Sequence, residues 1–175
     1  GIWSDEHIEG LSKIAEACHE HGATVMLQLH HAGLRTHPKV TSIPSAPWKP
    51  NSKEGEVHIL SEEDINIIRN AFIEGARRAK EAGFDGVELH GAHGYLLNQF
   101  SSPVINKRID NYGGSLENRM RLSRDIIKSI QQELGLEFIV GYRMGGNDPT
   151  LEDSIKIAKI LEESGIDILH VSTGI

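Results

Sequence analysis

The residues richest in chemical potential in this 175-residue sequence stand together at Glu88-Leu89-His90-Gly91-Ala92-His93-Gly94-Tyr95. Two histidines three apart leave three readings open: a pair of metal ligands, two hydrogen-bond donors aimed at one atom, or imidazoles bonded only to their own backbone. A metal site needs third and fourth ligands, for which His31 and His170 are the candidates. Tyr95 adds a phenol, donor and acceptor at once. Gln28 and Arg143 enter on placement, because each follows a glycine at nearly the same spacing as His90 does.

That glycine belongs to a phrase repeated along the chain. Glu-x-Gly followed by an apolar, strand-like run occurs at Gly22 (then 23–29), Gly83 (84–90), Gly135 (136–143) and Gly165 (166–172). Each glycine stands just past a helical pattern, where a left-handed cap suits a residue without a Cβ. Ser4, Ser61, Ser115 and Thr150 are N-cap candidates for the helices before them, the last with Asp153 in capping-box style. Apolar residues recur at helical spacing: Ile8, Leu11, Ala15 and Cys18; Ile65, Ile68, Phe72, Ala76 and Ala79; Leu116, Ile126, Ile130 and Leu134; Leu151, Ile155, Ala158 and Leu161. Cys18 reads as a small core residue on the first of these faces.

Helices alternating with mostly apolar strands predict right-handed crossovers and a parallel sheet. An open doubly wound sheet and a (β/α)8 barrel both qualify, and both bind ligands at the C-terminal strand ends. The polar residues gather there: Gln28, His30 and His31; Glu88, His90 and His93; Arg143; Ser172 and Thr173. Four strand ends facing one site favour the barrel, and no Gly-x-Gly-x-x-Gly follows any strand to support a dinucleotide fold. Residues 1–175 are expected to form one partial (β/α) barrel domain, interrupted by a long proline-rich excursion at about 32–60. This excursion reads as an ordered loop or short hairpin, in which Trp48 either packs the loop down, the favoured reading, or touches a ligand.

Composition narrows the function classes. A formal net charge of −7 argues against nucleic acid, no apolar run approaches a membrane span, and no leader-like charged and apolar pair opens the sequence. The single cysteine, Cys18, leaves no intramolecular disulfide and fits a reducing, cytoplasmic setting.

The stretch 88–103, Glu-Leu-His-Gly-Ala-His-Gly-Tyr-Leu-Leu-Asn-Gln-Phe-Ser-Ser-Pro, resembles the signature of the Old Yellow Enzyme family of FMN-dependent NAD(P)H oxidoreductases. So do 106–121, Asn-Lys-Arg-Ile-Asp-Asn-Tyr-Gly-Gly-Ser-Leu-Glu-Asn-Arg-Met-Arg, with Gln28-Leu-His-His-Ala-Gly33 upstream and Gly141-Tyr-Arg-Met144 downstream. The resemblance covers most of the chain in the right order. It implies that His90 and His93 donate hydrogen bonds to the carbonyl oxygen of an α,β-unsaturated small-molecule substrate such as an enone. Charge develops on that oxygen as hydride arrives at the β-carbon, and fixed donors stabilise it as an oxyanion hole does. Tyr95 would then protonate the α-carbon, a task suited to a phenol that keeps its proton at neutral pH. Gln28 would face the flavin's pyrimidine edge, and Arg143 would place a permanent cation beside that ring. The implied cofactors are FMN and, as hydride donor, NADH or NADPH.

Tyr112-Gly-Gly-Ser115 could cradle an anion at a helix start, but it is read as a turn plus N-cap, with Asn106, Arg108, Asp110, Asn118 and Arg119 tying loop to helix. Where the family usually has Arg after His-Ala-Gly, this sequence inserts Leu34 before Arg35, so a role for that arginine is unsupported. The paired histidines resemble the bacterial branch. The family fold is an eight-stranded barrel, and by the resemblance the four units here are its third to sixth. The opening strands, the last two strands and the FMN phosphate site that barrels build after strands seven and eight are not among them. Half a barrel leaves two unpaired edges. The expectation is therefore a piece of a longer enzyme, or a chain that completes its sheet by self-association, which alone neither holds FMN tightly nor turns over. Two rivals remain, a catalytically silent barrel segment and a metal-dependent barrel hydrolase using His90, His93 and His170.

Overall fold

The computed structural model describes residues 1–36, 45–48 and 57–173. Four strands, β1 (Met26–Leu29), β4 (Gly86–Gly91), β5 (Ile139–Gly145) and β6 (Ile168–Ser172), form one sheet in that spatial order. Every pairing in it is parallel. The crossovers contain α2 (Glu62–Glu81), α5 (Arg121–Leu134) and α6 (Leu151–Glu163), while α1 (Ile8–His19) precedes β1.

The cap glycines behave as expected. Gly22, Gly83, Gly135 and Gly165 all have φ between 72° and 91°. Each strand nevertheless begins two or three residues later than the apolar run does. The residues just past the glycine close the helix end instead: the amides of Ala23, Phe84 and Ile166 donate to Cys18, Ala79 and Leu161, the six-to-one bond of a Schellman cap. Two of these junctions carry an aspartate two residues past the glycine. Asp85 accepts from the Val25 amide at 2.7 Å and Asp167 from the Val140 amide at 2.8 Å. Each carboxylate thus satisfies the strand-entry amide of its neighbour.

Three of the four N-caps form as read. Ser61 and Asp64 make a reciprocal capping box, and Thr150 and Ser115 accept from the amides three residues on. Ser4 does not cap with its side chain. A 3-10 turn over Asp5–His7 precedes α1, and the Ser4 carbonyl takes the His7 amide instead. The third helix is broken at Met120 into α4 (Leu116–Arg119) and α5.

The sheet has two unlike faces. Val87, Leu89, Val140, Tyr142 and Met144 form one, fully buried beneath Phe72 and Ala76 of α2 and Ile126 and Ile130 of α5. On the other lie Gln28, Glu88, His90, Arg143, His170 and Ser172, as the register requires. The helix α1 buries only Ala15, and Cys18 is half-buried rather than core. An apolar crevice of about 500 Å³ opens between α1, β1 and α2, bounded by Leu11, Leu27, Leu29, Ile68 and Phe72. Gln28, His30 and His31 also reach it.

One expectation for the excursion is corrected. Ser45–Ala46 (β2) and His58–Ile59 (β3) pair in parallel, which a short hairpin cannot do. Trp48 is 40% exposed. Arg108 anchors the described parts of the excursion, donating to the carbonyls of Pro47 and Leu60. The rest of the excursion, 37–44 and 49–56, lies outside the described residues.

Candidate functional site

His90 is the fifth residue of β4, and its alternation with Leu89 places it on the polar face. It is 5% exposed, and its Nδ1 is buried with no hydrogen-bond partner among the described residues. Burial, reinforced by His93, His30 and Arg143 nearby, pushes its pKa down to about 4. At neutral pH the ring is therefore an uncharged imidazole, which carries one N–H.

Past Gly91 the chain turns sharply. His93 adopts φ 60°, a left-handed conformation that histidine tolerates better than most residues do. Gly94 follows at φ 72°. The turn is held by a short buried helix, α3 (Leu96–Ser101), whose N-cap position is Tyr95 itself. Asn98 accepts from the Gly94 amide at 2.7 Å and donates to Asp148. Gln99 donates to the Gly94 carbonyl at 2.7 Å and accepts from Leu34, which ties the loop after β1 to the loop after β4. Sequence reading gave neither residue a role. The signal was present: Asn98-Gln99 interrupts an otherwise apolar run, Leu96 to Phe100, and both are buried.

These constraints bring the predicted donors together. The His90 ring lies 5.2 Å from that of His93, edge-on, and 5.0 Å from that of Tyr95. His30 joins them from the end of β1, edge-on to Tyr95 at 4.3 Å, with its pKa lowered by burial. Arg35 places its guanidinium 6.0 Å from the Tyr95 ring centroid, within cation–π reach. The inserted Leu34 thus leaves Arg35 beside the cluster after all. His31 turns aside; its Nδ1 accepts from the Gly33 amide at 3.1 Å.

Gln28 and Arg143 occupy the same face. The Gln28 amide donates to Glu88 Oε2 at 2.5 Å, and Glu88 Oε1 meets His170 Nδ1 at 2.9 Å. Glu88 therefore links three strands, a role the sequence did not reveal. The Nε of Arg143 is buried without a hydrogen-bond partner among the described residues. His170, a candidate metal ligand, is occupied with Glu88, and His93 Nε2 lies 2.8 Å from Ser172 Oγ. Among the described residues no three His, Cys, Asp or Glu side chains come together as a metal set. Among them, too, no helix is long and apolar enough to cross a membrane.

The segment after α3 is a structural tie, as read. Asn106 donates to the Phe100 and Tyr112 carbonyls, Arg108 pairs with Asp110, and Arg119 donates to Ser101 and Gly114. Asn118 accepts from Arg121.

Comparison with known proteins gives a consistent picture. The NADH:flavin oxidoreductase / NADH oxidase family matches residues 1–172. An NADPH dehydrogenase of Halalkalibacterium halodurans is 47% identical over 180 residues, covering 99% of this chain and 52% of that protein. An NADH oxidase of Thermoanaerobacter brockii is 45% identical over 98% of this chain and 28% of its own length. Among solved structures, a 2-naphthoyl-CoA reductase in complex with 2-naphthoyl-CoA superposes with a TM-score of 0.93 at 32% identity, over 99% of this chain and 30% of that one. The Old Yellow Enzyme homologue of Zymomonas mobilis gives 0.87 at 30% identity, over 98% and 54%. The chain thus spans about half the length of the NADPH dehydrogenases it matches, and its four parallel strands are part of a TIM barrel.

Proposed function

The chain belongs to the NADH:flavin oxidoreductase / NADH oxidase family, and from that premise we propose that it carries the substrate side of an FMN-dependent active site. The reaction would pass hydride from NADH or NADPH, through the flavin, to an activated alkene such as an enone. The observation that carries this reading is the convergence of His90, His93 and Tyr95 at one strand end, with His90 held neutral.

Two of the chain's groups fit the flavin ring. The buried Arg143 Nε has no partner and calls for an acceptor. Glu88 accepts from the Gln28 amide nitrogen, so the Gln28 carbonyl oxygen is turned away from it, free to face an N–H of the pyrimidine edge. When bound, FMN supplies the hydride that reaches the β-carbon of the substrate. His90 and His93 hold the carbonyl oxygen, where the electron pair displaced from the double bond accumulates as an enolate. A neutral imidazole donates to that oxygen without giving up its proton. Tyr95 delivers the proton to the α-carbon, the double bond becomes a single bond, and the phenolate is reprotonated from solvent.

The test is a titration of the chain with FMN, followed by quenching of flavin fluorescence. Weak, saturable binding is expected, reduced roughly tenfold or more by Arg143→Met, the loss of a charge-assisted hydrogen bond. A flavin signal that never saturates, or that Arg143→Met leaves unchanged, would overturn the assignment and favour the silent-segment reading.

A further inference from the structure

The contact between His93 and Ser172 belongs to no part of the site as read from the sequence. His93 follows β4, whereas Ser172 ends β6, two strands away. The intervening strand β5 offers Gly145 in register with Ser172, a position without a side chain. The His93 ring reaches across at that level and places Nε2 2.8 Å from Ser172 Oγ. The left-handed backbone of His93 aims the ring, and Ser172 is the group it is aimed at.

The serine hydroxyl has a second neighbour. It points to the Met144 carbonyl at 3.5 Å, the outer limit of a hydrogen bond. With its hydrogen directed to that carbonyl, the hydroxyl presents its oxygen lone pairs to the imidazole, the arrangement in which Nε2 carries the hydrogen. The other proton arrangement, Ser172 donating to Nε2, would abandon the Met144 carbonyl and move the histidine hydrogen to Nδ1.

We propose that Ser172 is a positioning residue for His93. It fixes the ring as the Nε2–H tautomer and holds that N–H at the strand ends, where a substrate oxygen can take the place of the serine oxygen. The proposal rests on the reading of His93 as a carbonyl donor. In that setting it explains how the turn delivers a donor of defined proton position: the neighbouring strand supplies an acceptor that keeps the hydrogen on the nitrogen that uses it.

The experiment is long-range ¹H–¹⁵N spectroscopy of the histidine-labelled chain at pH 8. It reads the proton position directly and needs no flavin. The wild-type chain should show His93 with the hydrogen on Nε2 and that hydrogen protected from solvent exchange. Ser172→Ala should lose the protection and raise the Nδ1–H population several-fold, while Ser172→Thr, which keeps the hydroxyl, restores both. Backbone amide spectra of each variant report whether the sheet is intact. A wild-type ring protonated on Nδ1, or ring shifts identical in wild type and Ser172→Ala, would overturn the proposal. Failure of FMN to bind would instead count against the proposed function and leave this result standing.

Discussion

His90 should make the stability of the chain depend on pH, and its size and sign follow from its surroundings. Its pKa is about 4 in the folded chain, against an ordinary histidine value of about 6.5 in the unfolded one. The folded ring stays neutral below pH 6.5 while the unfolded ring takes up a proton, so acidification favours unfolding. The stabilising contribution is complete above pH 6.5 and is lost as the pH falls toward 4. At about 1.4 kcal/mol per pKa unit, moving from pH 7.5 to 5 removes roughly 2 kcal/mol, and the whole window about 3 kcal/mol at most. That is a large share of the roughly 5–15 kcal/mol a domain has. His90→Asn removes the titrating group and should flatten this component. His30 and His31, whose pKa values burial also lowers, remain in both chains and act in the same direction. Urea unfolding followed by circular dichroism, at pH 7.5 and pH 5, gives the comparison. Wild type should lose about 2 kcal/mol more than His90→Asn between the two conditions. Equal losses, or a larger loss in the variant, would refute the claim that the ring is held neutral by burial and nearby cations.

Two further substitutions test the framework around the site. A Cβ on Gly91 would overlap the ring of Tyr142, which is fully buried and bonded to Ser123 at 3.0 Å. Gly91→Ala should therefore lower stability by about 1–3 kcal/mol through overpacking, measured as a lower urea midpoint with unchanged slope. Arg108, its side chain 9% exposed, holds the Pro47 and Leu60 carbonyls and Asp110 together. Arg108→Met strands those acceptors and should cost about 3 kcal/mol or more, read as a lower urea midpoint; an unchanged midpoint would deny Arg108 its anchoring role.

What the sequence made legible was what short range determines. Cap glycines, three side-chain N-caps and the alternation of β4 are set by neighbours a few residues apart, and they placed Gln28, His90 and Arg143 on one rim before any fold was known. Three of the four strand starts were read too early because six-to-one cap bonds take the amides just past the glycine. The partners of the site residues escaped for a different reason. Glu88 meeting both Gln28 and His170, or Ser172 meeting His93 over Gly145, depends on the register of three strand pairs at once. No local pattern encodes that register. Even Arg35, displaced by an inserted residue, returns to Tyr95 because Gln99 pins the two loops together.

The two faces of the sheet explain why this division holds. The helix-facing residues Val87, Leu89, Val140, Tyr142 and Met144 are apolar and buried, and their hydrophobic pattern suffices to specify them. On the opposite face, side chains bond to one another across strands, and His90 Nδ1 and Arg143 Nε are buried without hydrogen-bond partners among the described residues. An orphaned buried polar group costs about 1–3 kcal/mol, and on the proposed reading of the site a ligand would offset that cost by bringing the missing partners.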